Sequence, residues 1–233
     1  MNKQPSTNSA LTGTAKLTIS LVWATVVVPV LVVLLFVITR GVLKNSFSEF
    51  DIAVTDTLRS FASPQLTEIV TFITHFASSH IIAPIAIIVA ATLAFGFKKQ
   101  WDALCVAVVI GGSALLNEGL KLIFQRARPE WEHWVHATGY SYPSGHSMTG
   151  LAFYGMVGFL IWLHLKERGK VRFYVPILTL LLIGGIGVSR IYLGVHYVTD
   201  VIAGFAAGMV WLIACIYGMQ WLKGRKHTLN VSK

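Results

Sequence analysis

The run LTISLVWATVVVPVLVVLLFVIT at residues 17–39 decides the fold. It holds no charged residue, and at ~1.5 Å rise per residue a helix of this length crosses the ~30 Å hydrocarbon layer of a bilayer. A signal peptide has a shorter apolar region and a small-residue cleavage site. The run therefore reads as a retained transmembrane helix, with an uncleaved signal-anchor role. Outward from it, the stretch 69–97 is too long for one straight span, and His75, Ser78, Ser79, His80 and Pro84 interrupt it. That pattern predicts an interfacial helix at 66–77 and a span at 79–97. Four more spans are predicted at 103–123, 146–165, 174–191 and 197–222. The fold class is all-α: a six-span transmembrane helical bundle with a short interfacial helical segment between spans 1 and 2.

Composition points the same way. Of 233 residues 55% are hydrophobic and only 12% charged, against about 25% charged in soluble domains. So few charges cannot cover a globular surface. The net charge of +9 would suit nucleic acid if the cations shared one face. Here they sit between apolar runs, so no nucleic-acid partner is expected. With six spans both termini share a side, which collects twelve Lys and Arg; the other side has seven: Arg40, Lys44, Arg59, Lys121, Arg126, Arg128 and Arg190. The positive-inside rule puts the twelve, and both termini, in the cytoplasm. Cys105 and Cys215 lie in apolar runs without ligand spacing or a disulfide framework, and read as small buried hydrophobes. No internal repeat or low-complexity linker divides the chain, so residues 1–233 read as one domain. Within the 40–66 segment, Phe47, Phe50, Val54, Leu58 and Phe61 form one helical stripe, with Ser48, Glu49, Asp51, Asp56 and Arg59 off it. The stripe predicts a short helix packed on the bundle.

Three polar clusters stand at span ends on the side away from the termini. The first runs from Lys121 to Arg128 and Pro129. Lys121 and Arg128 are seven residues apart and share a face if the helix continues, with Pro129 marking its end. Ionisable groups in a span cost roughly 2.5–3.5 kcal/mol each and are functional candidates by default. Arg126 reads as a headgroup-facing side chain. The second cluster is Pro143-Ser144-Gly145-His146. Ser144 can cap the fourth span, Gly145 lets a ligand approach the backbone, and free amides at a helix start bind anions. The third holds Ser189, Arg190, His196 and Asp200. His196 and Asp200 are one helical turn apart. The carboxylate can hold one ring nitrogen and leave the other free as a nucleophile, and Arg190 offers a planar fork for phosphate oxygens. A metal ion fits poorly, because two Arg and a Lys repel it. Asn117 and Glu118, one turn before Lys121, read as helix-packing groups, and Trp131, Trp134, Tyr140 and Tyr142 as an interfacial aromatic belt.

The clusters match the three motifs of the type 2 phosphatidic acid phosphatase superfamily: Lys, six residues, Arg-Pro; Pro-Ser-Gly-His; and Ser-Arg, five residues, His, three residues, Asp. Every fixed position is present and in order. The chain resembles this family over a motif core of about 117–205, and its layout and size look closest to bacterial phosphatidylglycerophosphatase B-type and undecaprenyl-diphosphate phosphatase enzymes. The resemblance implies hydrolysis of a membrane lipid phosphate, with no cofactor and no metal, near the extracytoplasmic face. It implies His196 as nucleophile, Asp200 as the group orienting it and His146 as general acid and base. Lys121, Arg128, Ser144, Gly145 and Arg190 would bind the phosphate. The same site would serve a lipid phosphotransferase. A transporter is the rival from another class, but the chain has no repeated halves and its charges gather at one membrane face.

Overall fold

The computed structural model describes the backbone of residues 7–169 and 173–231 and the side chains of 25–169 and 173–223. Among the described residues, eight α-helices follow in order: α1 (Thr7–Leu43), α2 (Ser48–Arg59), α3 (Pro64–His75), α4 (Ser79–Ala91), α5 (Gln100–Phe124), α6 (Gly145–Glu167), α7 (Tyr174–Tyr192) and α8 (Val198–Val231). A π-helical turn, Thr92–Gly96, extends α4. No strand occurs among the described residues. Six segments of the described residues are long and apolar enough to cross a membrane: Thr25–Leu43, Ser79–Gly96, Gln100–Phe124, Gly145–Glu167, Tyr174–Tyr192 and Val198–Lys223. Each overlaps one of the six predicted spans; the first runs four residues past its predicted end at Thr39, and the side chains of its predicted residues 17–24 lie outside the described ones. Of the cations assigned to the basic side, Lys3, Lys170, Arg172 and Lys233 lie outside the described residues, as do the side chains of Lys16, Arg225 and Lys226.

The predicted interfacial helix is α3. Ser63 caps it by accepting from the Leu66 amide at 3.2 Å, and Pro64 fills its first position, where the missing N–H costs nothing. The core lies between α4, α5, α6, α7 and α8, around Val106, Val109, Phe153, Met156 and Ile186. Leu115, Leu122, Ile123 and Ile87 point outward, as a lipid-facing surface requires.

α6 runs through the middle of the bundle, against α5, α7 and α8. Its seam with α8 depends on two glycines one turn apart. A Cβ on Gly204 would stand 2.7 Å from the Ser144 carbonyl oxygen, and one on Gly208 2.6 Å from that of Met148. Backbone cannot yield as a side chain can, so only glycine allows this approach. The seam sets the start of α8 against the start of α6, which brings the second and third clusters together.

α2 departs from expectation. It does pack on the bundle, but Phe50 and Phe61 of the apolar stripe are exposed, while Asp51 and Thr55 are fully buried. Val54 and Leu58 cover Ile191, Val198 and Val201. The helix is turned so that a carboxylate faces inward. An apolar stripe marks the buried side only where the other side meets water.

Candidate active site

The three clusters meet at one end of the bundle. After α7, Gly194 takes φ +76°, a left-handed conformation that suits glycine. The chain turns back there, and the Val195 and His196 amides donate to the Arg190 carbonyl at 3.2 and 3.3 Å. His196 is thereby fixed just before α8, 2% exposed.

The ring of His196 has two distinct nitrogens. Nε2 lies 3.4 Å from Arg128 Nη1. A guanidinium only donates, so Nε2 bears the lone pair and Nδ1 the proton. Nδ1 faces Asp200 Oδ2 at 3.5 Å, too long for a formed hydrogen bond; such bonds often tighten only with substrate in place. Burial pushes the His196 imidazole down to about 4, with Arg190 and Arg128 adding to the effect and Asp200 opposing it. That shift favours the neutral ring at rest.

Asp200, wholly buried, accepts from the Tyr197 amide at 2.9 Å through Oδ2 and from Arg126 Nη1 at 2.6 Å through Oδ1. Its own carbonyl accepts from the Ser144 amide at 3.0 Å, which ties the third cluster to the second. Ser144 caps α6 as predicted, its Oγ accepting from the Ser147 amide at 3.4 Å and the Ser147 hydroxyl at 2.9 Å. The Ser144 hydroxyl keeps its own proton to donate. Asn117 holds the loop from below, giving Nδ2 to the Pro143 carbonyl at 3.1 Å.

Among the cations, Lys121 and Arg128 would share a helix face only if the helix continued between them, and it does not. α5 ends at Phe124, and Gln125 is left-handed with φ 47°, so Arg128 comes from the loop. Its guanidinium donates to the carbonyls of Gly139 (3.0 Å), Val195 (2.8 Å) and Thr138 (2.7 Å). Burial lowers it from its ordinary value, Asp200 opposing. Arg190 Nη1 donates to Thr74 Oγ1 of α3 at 2.8 Å. Its Nε is buried without a hydrogen-bond partner, a costly state that an anion would relieve. Lys121 Nζ stands 3.6 Å from Glu118.

His146, at the first turn of α6, lies within electrostatic reach of Arg190, His196, Lys121 and Arg128. With Lys121, Gly145 and Thr149 it lines a cavity of about 270 Å³ walled by Ala77, Ile82, Ala83, Ile110 and Ala114. Ser79, Ala83, Ala114 and Glu118 on its rim are exposed, so the cavity opens between α4 and α5. The eight residues singled out by their motifs all belong to this one place.

Two readings change. Arg126 does not face headgroups: it donates to Asp200, to Thr199 Oγ1 at 2.8 Å and to Asp51 Oδ2 at 2.9 Å, and lies 4.0 Å over the Tyr197 ring. Burial alone would lower it, but Asp200 and Asp51 hold it above its ordinary value. Three of the four loop aromatics pack on the protein rather than forming a belt, while Tyr140 stays exposed. Trp131 packs on Tyr197 and Trp134 on Tyr192, Arg59 covers Trp134 at 3.9 Å, and buried Tyr142 bonds Thr39 at 2.7 Å. The sequence reading places Asp51 only as a polar residue off the α2 stripe and gives no role to Thr74 or Thr199; the one available signal is a carboxylate next to an apolar stripe.

A model of the PAP2 superfamily matches residues 102–223. The chain is 35% identical over 183 residues to phosphatidylglycerophosphatase B of Bacillus subtilis, covering 78% of this chain and 90% of that protein. It is 33% identical over 119 residues to lipid A 1-phosphatase of Rhizobium etli, covering 47% of each. The crystal structure of the transmembrane PAP2-type phosphatidylglycerolphosphate phosphatase from Bacillus subtilis superposes with a TM-score of 0.78 at 31% identity, over 83% of this chain and 96% of that one. Aquifex aeolicus LpxE shares the fold, with a TM-score of 0.58 at 20% identity over 71% and 94% of the two chains.

Proposed function

Because the chain belongs to the PAP2 superfamily and is a lipid phosphatase of that family, we propose that it removes the terminal phosphate of a membrane lipid through a phosphohistidine on His196. In this reading the whole chain acts as one domain, with the site near the extracytoplasmic face and both termini in the cytoplasm. Phosphatidylglycerophosphate is the foremost substrate, on the strength of the Bacillus subtilis relative; phosphatidate and undecaprenyl diphosphate complete the class.

The observation that carries the proposal is the neutral His196, its unprotonated Nε2 turned toward Arg128, beside an Arg190 whose buried Nε has no partner. Lys121, Arg128 and Arg190 hold the phosphoryl oxygens, with the Ser144 hydroxyl and the Gly145 amide at the start of α6. His196 Nε2 forms a bond to phosphorus as the bond to the lipid oxygen breaks. His146 gives that oxygen its proton, and Asp200 stabilises the imidazolium. His146 then takes a proton from water, whose oxygen bonds phosphorus as the N–P bond breaks. The departing lipid occupies the apolar-walled cavity beside His146. The donor set of cations suits an anion, so no step needs a metal.

The test is phosphate release by detergent-purified protein in excess chelator, wild type against His196→Ala, on those three lipids. Release by the wild type alone is the expected result, with phosphatidylglycerophosphate fastest. Dependence on added divalent metal would overturn the mechanism. A phosphohistidine without phosphate release would reassign the protein to transfer onto another acceptor.

A further inference from the structure

Helix α2 contributes a charge to the site without touching it. Asp51 is 0% exposed, and both its oxygens are engaged. Oδ1 accepts from the Thr199 amide at 2.9 Å, and Oδ2 from the Thr199 hydroxyl at 2.7 Å and Arg126 Nη2 at 2.9 Å. Arg126 in turn spans Asp51 and Asp200, with Thr199 bonded to both Asp51 and Arg126. A buried ion set this complete is costly to assemble and strongly directional once formed. α2 could dock through Val54 and Leu58 alone, so packing leaves the charge unexplained.

We infer that Asp51 and Arg126 are positioning residues, which fix the carboxylate of Asp200 and set how much negative charge it presents to His196. This rests on the functional reading above. Arg126 draws on Asp200 Oδ1 and leaves Oδ2 to face the imidazole. Asp51 neutralises part of the Arg126 charge, so that Asp200 is not wholly spent on it. The other charged groups around His196 are Arg190 from α7 and Arg128 from the loop and His146 from α6, with Lys121 of α5 beside His146. Asp51 and Arg126 reach the ring through Asp200.

The two charges act with opposite sign, and this gives the test. In Asp51→Asn, Arg126 loses its neutralising partner, the potential at His196 becomes more positive, and the acid limb of kcat/KM moves to lower pH. In Arg126→Gln the potential becomes more negative and the limb moves to higher pH. Both lower kcat by about 10–100-fold, the range for lost outer-shell support, with KM changed by less than about twofold. Thr199→Val lowers kcat and leaves the limb in place. Asp56→Asn, on the exposed side of α2, behaves as wild type.

Thermal unfolding in detergent establishes that each variant is folded. A folded Asp51→Asn with wild-type kcat and pH profile, or limb shifts of the same sign in both charge variants, overturns the inference. Should Asp51→Asn not fold, an unchanged kcat in Thr199→Val does so. An active wild type alongside unaffected network variants sinks the inference alone. A wild type that releases no phosphate from any lipid sinks the functional reading beneath it.

Discussion

His196 and His146 have opposite duties at the start of the proposed cycle, one neutral and one protonated, so kcat/KM is expected to be bell-shaped in pH. Burial holds His196 down to about 4; below that pH its lone pair is lost and activity falls. The same shift appears in stability. Unfolded imidazole titrates near ~6.5, so between there and about 4 the unfolded chain binds a proton that the folded chain does not. Stability is then full above the upper value and declines as pH drops through the window, and in His196→Gln the unfolding temperature falls less on acidification. His146→Ala should cost about 10²–10⁴-fold on a lipid and clearly less on an aryl phosphate, whose leaving group needs no proton. Equal losses on both would remove the acid role. The motif residues were legible because each cluster is short and local. Arg126 was not, since its partners Asp51 and Asp200 lie 75 and 74 residues away and only the tertiary fold introduces them.

At the scale of the element, α6 and α8 are held close by Gly204 and Gly208. Gly204→Ala would press a methyl group on the Ser144 carbonyl, forcing the capped start of α6 away from Asp200. A cost of about 1–3 kcal/mol in stability is expected for such overpacking, with activity falling further than stability. Gly111→Ala, where a Cβ meets nothing within 4 Å, is the control; equal effects in the two variants would show that the seam does not position the site. The helices themselves were legible, α3 within two residues at each end, though not its Ser63 cap or Pro64. The rotation of α2 was not. Hydrophobic periodicity locates an apolar face but does not say whether protein or lipid covers it.

Across the whole molecule, six spans could be counted from hydropathy because lipid leaves the backbone no other partner than itself. Orientation rests on charge asymmetry and makes its own prediction. Tyr140→Cys, in the loop at the site, should react with a membrane-impermeant maleimide on intact cells, and Arg168→Cys, beyond the far end of α6, only after permeabilisation. The reverse pattern would invert the topology. The rim between α4 and α5 also changes how substrate is counted. A lipid reaching Lys121 and His146 through that opening arrives by diffusion in two dimensions, so its effective concentration is its mole fraction in the surface. Diluting it with inert detergent at fixed bulk concentration should slow turnover, and a saturation constant quoted in moles per litre would describe the micelles rather than the protein.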